Sequence, residues 1–378
     1  MTVKNSFKNR SVLITGHTGF KGSWLAIWLH HLGAKVNGYS LPPPTIPNHF
    51  TTSGVRSLLA SHYDGDVRDP IQLQAALEAC RPAVIFHLAA QPVVRQSYVT
   101  PLETLEVNAM GVATLLDCVR KLGHHCAVVI VTSDKCYENH PSTEGHREDG
   151  RLGGHDPYSA SKAAAELIAA SYRQSFFPPD ALEKHGVSVA TVRAGNVIGG
   201  GDWAQDRIVP DIVRSLSNGQ PIQVRNPGSI RPWQHVLEPL SGYLALASAM
   251  LSRPDPDWCS AWNFGPLAGG DASVRDLVET FCEAWGNGRW EDVSNSVQPF
   301  EEASLRLSIE KAARQLCWQP RWRFAEAVWR TSRWYRSFYS SPGKSTYDFC
   351  LQDIADHETG VAEASQKATP RSSYAHVP

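Results

Sequence analysis

An α/β chain wound on both sides of a parallel sheet is what this sequence predicts, and three observations carry it. Short apolar runs rich in β-branched residues alternate with helix-like segments through the first half of the chain. Two of those runs, Ala83–Ala90 and Ala127–Ser133, are almost continuously apolar, as strands buried on both faces must be. The first run ends on a glycine-rich turn that opens a helix.

Taken in order, Ser11–Thr15 reads as a strand ending at Gly16, and Gly22–Leu32 as a helix with Trp24, Leu25, Trp28 and Leu32 on one side. Lys35–Ser40 is a second strand and Leu58–Asp64 a weaker third. The prolines of Leu41–His49 cannot donate ladder hydrogen bonds, so that stretch is a loop. Pro70–Ala79 is a helix, Ala83–Ala90 a strand and Leu102–Leu122 a long helix. Ala127–Ser133 is a strand, Pro157–Tyr172 an Ala-rich helix and Val187–Val192 a further strand. Beyond residue 195 the texture changes: ten of the twelve tryptophans lie at or after Trp203, and strands become short and irregular. A nucleotide-binding domain over 1–190, with return segments near 221–252, and a smaller interleaved substrate domain over 191–340 are expected. Residues 341–378 are polar and Ser-rich and read as a loosely held tail.

Composition removes several functions. The 378 residues carry 36 Lys+Arg against 37 Asp+Glu, a net charge of −1, without the basic excess of a general nucleic-acid or membrane binder. No apolar run approaches the ~20 residues of a membrane span, and the first residues lack the apolar core of a secretory signal. Eight scattered cysteines with no CxxC pair read as reduced thiols of a cytoplasmic protein. His30-His31 and His124-His125 lack partners at metal-ligand spacing, so no metal is expected. The basic and aromatic stretch Arg321–Arg336 fits the buried stripe of a late helix, with Trp322 and Trp329 seven apart, better than a nucleic-acid surface.

Two motifs carry chemistry. In Gly16-His-Thr-Gly19-Phe-Lys-Gly22, strand before and helix after, the glycines let backbone amides approach a pyrophosphate at a helix N-terminus. The acid that usually ends the second strand is missing from Gly38-Tyr-Ser-Leu-Pro42, and no Arg stands there, so NAD and NADP are not distinguished. Asp66, after the third strand, is either an acceptor for an adenine amino group or a turn acid. In Tyr158-Ser-Ala-Ser-Lys162, phenol and ammonium lie four apart on one helix face, where the cation can favour the phenolate for proton exchange with an alcohol. Ser133, Asp134 and Lys135 end a buried strand, on the side where ligands bind in such sheets.

The phrases GHTGFKGSWL, FHLAAQPVVRQSY, TSDKCYEN, DPYSASK, VRAGNVIGGGDWAQDR and IRPWQHVLEPLSGY together resemble the nucleotide-sugar 4,6-dehydratases, Rossmann-type members of the extended short-chain dehydrogenase/reductase superfamily. The likeness runs from about residue 8 to 340 and is strongest to the branch acting on CDP-D-glucose. It implies a lyase with tightly bound NAD, working by oxidation at the sugar 4-hydroxyl, elimination across carbons 5 and 6, and reduction at carbon 6. By that likeness Gly16, His17, Thr18, Gly19, Phe20, Lys21, Gly22, Asp66, Val67, Leu88, Ala89 and Ala90 lie along the cofactor, with Tyr158 and Lys162. Tyr158 takes the 4-hydroxyl proton, and Ser133 hydrogen-bonds the same oxygen. Asp134, protonated, is the acid on the leaving 6-hydroxyl. Lys135 stands where dTDP-glucose relatives carry a Glu base. It is either the base at carbon 5, which requires a neutral amine, or a group that orients or stabilises the enolate. Gln91, Ser133, Asn196, Arg207, Arg231 and Asn263 face the substrate, and Trp203, Trp233 and His235 either border the pocket or pack. Asn108 orients the site through a backbone contact. The family pairs long helices, here Leu102–Leu122 and Pro157–Tyr172, into a homodimer, alone or as a dimer of dimers.

Three alternatives stay open on the residues alone. A dTDP- or GDP-sugar dehydratase shares most of the motifs. A UDP-sugar 4-epimerase needs the Tyr–Lys pair but not an acid and base for elimination. A non-catalytic dinucleotide sensor would not need Ser133, Asp134, Tyr158 and Lys162 together.

Overall fold

The structure, a computed structural model, describes residues 3–138, 145–252, 255–267, 269–294 and 306–360. Seven strands form one sheet: β1 Ser11–Thr15, β2 Lys35–Ser40, β3 Ser61–Asp64, β4 Val84–His87, β5 Cys126–Val131, β6 Val187–Arg193 and β7 Ala261–Asn263. All pair in parallel, in the order β3-β2-β1-β4-β5-β6-β7. Strand order reverses between β1 and β4, which opens a crevice beyond their carboxyl ends.

The strands are apolar throughout because both faces are covered. Val12, Ile14, Val84, Phe86, Val129 and Val192 point into one core, while Leu13, Ile85, Val128, Ile130 and Val189 point into the other. That is the period-two alternation of a strand. On the first face lie helices α1 (Phe20–His31) and α3 (Leu237–Ser252), the former contributing Trp24 and Trp28. On the second lies α2 (Pro157–Ser175), through Ala165 and Ala169. Asp156 starts α2 as an N-cap, its carboxylate accepting from the Ser159 backbone at 2.9 Å, and Pro157 supplies a preset first turn.

Several expected elements differ. The third strand is only Ser61–Asp64, because Val55–Leu58 winds into a 3₁₀ turn. The long helix expected over Leu102–Leu122 is three pieces: Pro101–Leu105, a π turn over Glu106–Met110, and Gly111–Val119. The wider turn aims Asn108 inward. Its amide accepts from the Gln91 backbone N–H (2.8 Å) and donates to the Gln91 carbonyl (3.0 Å) and the Ser161 hydroxyl (2.9 Å).

After β6 the chain builds small strand pairs: Val197–Ile198 with Gln234–His235, Ile222–Val224 with Trp290–Asp292, and Ile230–Arg231 with Ala272–Ser273. Between these it returns to the sheet as α3 and β7. Trp322 is buried but precedes the helix α4 (Phe324–Ser340), and Trp329 is only half-buried, so the two do not form one buried stripe. The loose tail expected from residue 341 is corrected by α5 (Tyr347–Thr359), whose Cys350, Asp353, Ile354 and His357 are buried. Residues 361–378 lie outside the described ones. Among the described residues no helix is long and apolar enough to cross a membrane.

Candidate active site

Two clefts adjoin at the carboxyl ends of the strands, and Lys21, Ser133, Tyr158 and Arg207 line both. The first runs along the glycine-rich turn. Gly16 takes φ +76°, and a Cβ there would lie 2.7 Å from the Ala89 nitrogen. A Cβ at Gly22 would lie 2.2 Å from the Gly16 carbonyl oxygen. Turn, strand end and helix therefore close on one another through bare backbone. Helix α1 begins at Gly19 with no side-chain cap, leaving its first N–H groups to an anion. That uncapped, glycine-lined cradle fits a dinucleotide pyrophosphate.

Thr18, Gly19, Phe20, Lys21, Asp66, Val67, Leu88, Ala89, Ala90 and Lys162 line this cleft with Gly16, Gly22 and Tyr158, as expected. His17 does not. It is fully buried, bonds His62 at 2.7 Å and fills the space over Gly38, where a Cβ would meet its ring at 2.5 Å. Where the second strand lacks its acid, Ser40 instead pairs with Thr18, hydroxyl to hydroxyl, at 2.8 Å. Asp66 is gripped by the Arg68 guanidinium at 2.6–3.0 Å, which holds its carboxyl below the usual range.

The second cleft holds Asp134 and Lys135 beside Ser133 and Tyr158, with Asn196, Arg207 and Arg231 on its walls. The Ser133 hydroxyl bonds Asp134 at 2.9 Å and also reaches Tyr158. Asp134 owes its room to Gly195, whose Cβ would stand 1.7 Å from the carboxylate. Arg207 pairs with Asp202 at 2.8 Å. Burial pushes the Tyr158 phenol up to about 12, with the Ser133 hydrogen bond and the Arg207 charge opposing and Asp134 adding. Burial also pushes the Lys162 amine down to about 8, and its Nζ donates to the Val131 carbonyl at 3.3 Å. Lys21, under burial and beside Arg207, is likewise lowered to about 8.

Two expected substrate residues stay out of the cleft. Gln91 turns back on its own loop, accepting from the Val93 backbone and donating to Thr104 at 2.9 Å. Asn263 is fully buried, accepting from the Tyr137 hydroxyl and donating to the His146 carbonyl, both at 2.9 Å. His235 packs between Trp24 and Trp322, whereas Trp203 and Trp233 do border the clefts. Sequence reasoning missed Arg95 and Arg225, which line the second cleft and flank Asp206 at 3.6 and 3.5 Å. The signal was present in VVRQSY and in the Arg225-Asn226 step before IRPW.

A family model described as GDP-mannose 4,6 dehydratase matches residues 13–331. The chain belongs to that family. Within it, the chain is 46% identical over 338 residues to the CDP-glucose 4,6-dehydratase of Salmonella typhimurium, covering 89% of this chain and 94% of that protein. It is 29% identical to the dTDP-glucose 4,6-dehydratase of Streptomyces antibioticus, over 86% of this chain and 92% of the relative. A solved structure with the same fold is the dTDP-glucose 4,6-dehydratase of Streptomyces venezuelae with NAD bound. Its TM-score is 0.71 at 24% identity, over 87% of this chain and 98% of that one. This 4,6-dehydratase family member thus has the expected parallel sheet, and its clefts bring together most, but not all, of the expected residues.

Proposed function

We propose that this protein is a hydro-lyase converting CDP-D-glucose to CDP-4-keto-6-deoxy-D-glucose and water, with NAD as its resident cofactor. One observation carries the proposal. Ser133 and Tyr158 stand at the junction of the two clefts, with Asp134 and Lys135 beside them in the second, in a chain 46% identical to a CDP-glucose 4,6-dehydratase.

NAD, when bound along Gly16–Gly22, supplies the oxidation at carbon 4 and the reduction at carbon 6. The chain's own groups do the rest. Tyr158 takes the 4-hydroxyl proton while Ser133 holds the same oxygen. Burial alone keeps the phenol protonated, so cationic charge brought close to it is what makes it a base; Arg207 already acts in that direction. Lys162 orients the nicotinamide ribose. The 4-ketone acidifies the proton on carbon 5. Lys135 takes that proton or stabilises the enolate, and Asp134 protonates the leaving 6-hydroxyl, so water departs. Arg207 and Arg231 fork the diphosphate oxygens, and Asn196 contacts the sugar side. In this division residues 1–190, with the returning segment, hold the cofactor, and 191–340 the nucleotide sugar.

A cytoplasmic setting is supported by eight cysteines, none of them paired. A homodimer is supported by Val99, Leu102, Met110 and Leu167, exposed at 73, 68, 55 and 60% on helices that pack together.

The deciding experiment incubates the protein and NAD with CDP-, UDP-, dTDP- and GDP-hexoses and measures 4-keto-6-deoxy product and net reduced cofactor. CDP-glucose should be dehydrated with no accumulation of reduced cofactor. Turnover of dTDP-glucose but not CDP-glucose, or stoichiometric reduced cofactor with an undehydrated sugar, would overturn the proposal.

A further inference from the structure

Beneath the site lies a buried ion pair that the reaction does not use. Glu166 and Arg193 are each 3% exposed. The Glu166 carboxylate is saturated. One oxygen accepts from the Thr132 hydroxyl (2.5 Å) and Arg193 Nε (2.9 Å), the other from the Thr191 hydroxyl (2.7 Å) and Arg193 Nη2 (2.9 Å). Arg193 Nη1 donates to the Tyr137 hydroxyl (2.5 Å) and to the Glu148 carbonyl (3.0 Å). Tyr137, fully buried, in turn donates a hydrogen bond to Asn263 Oδ1 on β7. Buried pairs are a poor source of stability, since apolar packing often does as well or better. What this pair fixes is geometry. Thr132 and Tyr137 bracket Ser133, Asp134 and Lys135, and both hang on the same two charged groups. Glu166 sits one helical turn past Lys162, on the helix that carries Tyr158.

We propose that Glu166 and Arg193, acting through Tyr137 and Asn263, are positioning residues that hold the Lys135 end of the turn in register with Tyr158 for the elimination step. Asn263, expected on the substrate, belongs instead to this strut. Tyr158 has separate anchors: the Asp156 cap, and the Ser97 hydroxyl that accepts from its backbone N–H at 3.1 Å. Ser133 lies at the Thr132 end. Loosening the Tyr137 end therefore disturbs the group at carbon 5 more than the groups at carbon 4.

The inference rests on the 4,6-dehydratase function, and its test separates the two steps. With CDP-6-deoxy-D-glucose, which has no leaving group, and NAD, only oxidation at carbon 4 is read, as absorbance of the reduced cofactor. With CDP-4-keto-6-deoxy-D-glucose in D₂O, deuterium entry at carbon 5 is read without redox chemistry. In Tyr137→Phe, deuterium entry should fall on the order of tenfold to a hundredfold, oxidation should change by less than about twofold, and KM should hold. Asn263→Ala, which removes the other partner of the same hydroxyl, should reproduce the pattern. Wild-type rates of the two half-reactions carry the functional proposal and their ratio in the variants carries the strut, so the two fail separately. Equal loss of both half-reactions, loss of neither, or a raised KM for Asn263→Ala would overturn it.

Discussion

Three histidines around the cofactor cleft, His17, His49 and His87, are buried and held neutral, pushed down to about 4, 3 and 3 by loss of water. In an unfolded chain each titrates near 6.5. Above that value both states are neutral and the histidines leave stability independent of pH. Below it the unfolded chain gains protons that the folded chain refuses, down to its own depressed values, so stability falls as pH drops from about 6.5 toward 4. The urea midpoint should decline over that range, and His87→Gln should flatten the decline; a midpoint constant from pH 7 to 5 would contradict this. None of these roles was legible in the sequence, where a histidine in a glycine-rich turn looks like a ligand contact. The gathering of Tyr158, Lys162 and Ser133–Lys135 at the clefts was legible because proton-transfer chemistry demands fixed residue types at short spacing. Asn263 and Gln91 were not, because an amide serves a ligand or a buried hydroxyl equally well, and only the packing around it decides which.

At the level of elements, strands and helices followed from the sequence wherever apolar period and local chemistry agreed, as in the helix beginning at Pro157. The π turn at Asn108 did not, since inserting one residue leaves the apolar pattern of the flanking helices intact. Helix α5 did not either, because its apolar stripe of Tyr347, Cys350, Leu351 and Ile354 is short and buried charge adds to its hold. Arg330 of α4, fully buried, pairs with Glu326 (2.6 Å), Asp353 (2.9 Å) and Asp356 (2.7 Å) and lies 4.2 Å over the Trp322 ring. A segment written in acids reads as a solvated tail until its cation is found. Arg330→Met should strand those carboxylates and lower the unfolding free energy by about 3–5 kcal/mol in denaturant titration. A loss below about 1 kcal/mol, the range of a surface pair, would show that α5 is held by its apolar contacts alone.

Across the whole molecule, a net charge of −1 coexists with clefts lined by Lys21, Arg95, Arg207, Arg225 and Arg231. Polyanionic ligands are met by local cations and a helix terminus, not by a global field. Val99, Leu102, Met110 and Leu167 are exposed together on α2 and the helices packed against it, the apolar patch that the proposed homodimer would cover. Light scattering should give at least twice the 41.6 kDa chain mass, and Leu102→Glu with Leu167→Glu should return monomers; a monomeric wild type would exclude the pairing. The threading of β7 has a separate consequence, for the order in which the protein is made. Synthesis delivers Ser133 and Tyr158 early, but Asn263 emerges only after the whole excursion that follows Arg193, and closing so long a loop is slow. A nascent chain can therefore carry Ser133 and Tyr158 well before Asn263, the far end of the proposed strut, arrives, so the strand at the sheet's edge closes late in assembly.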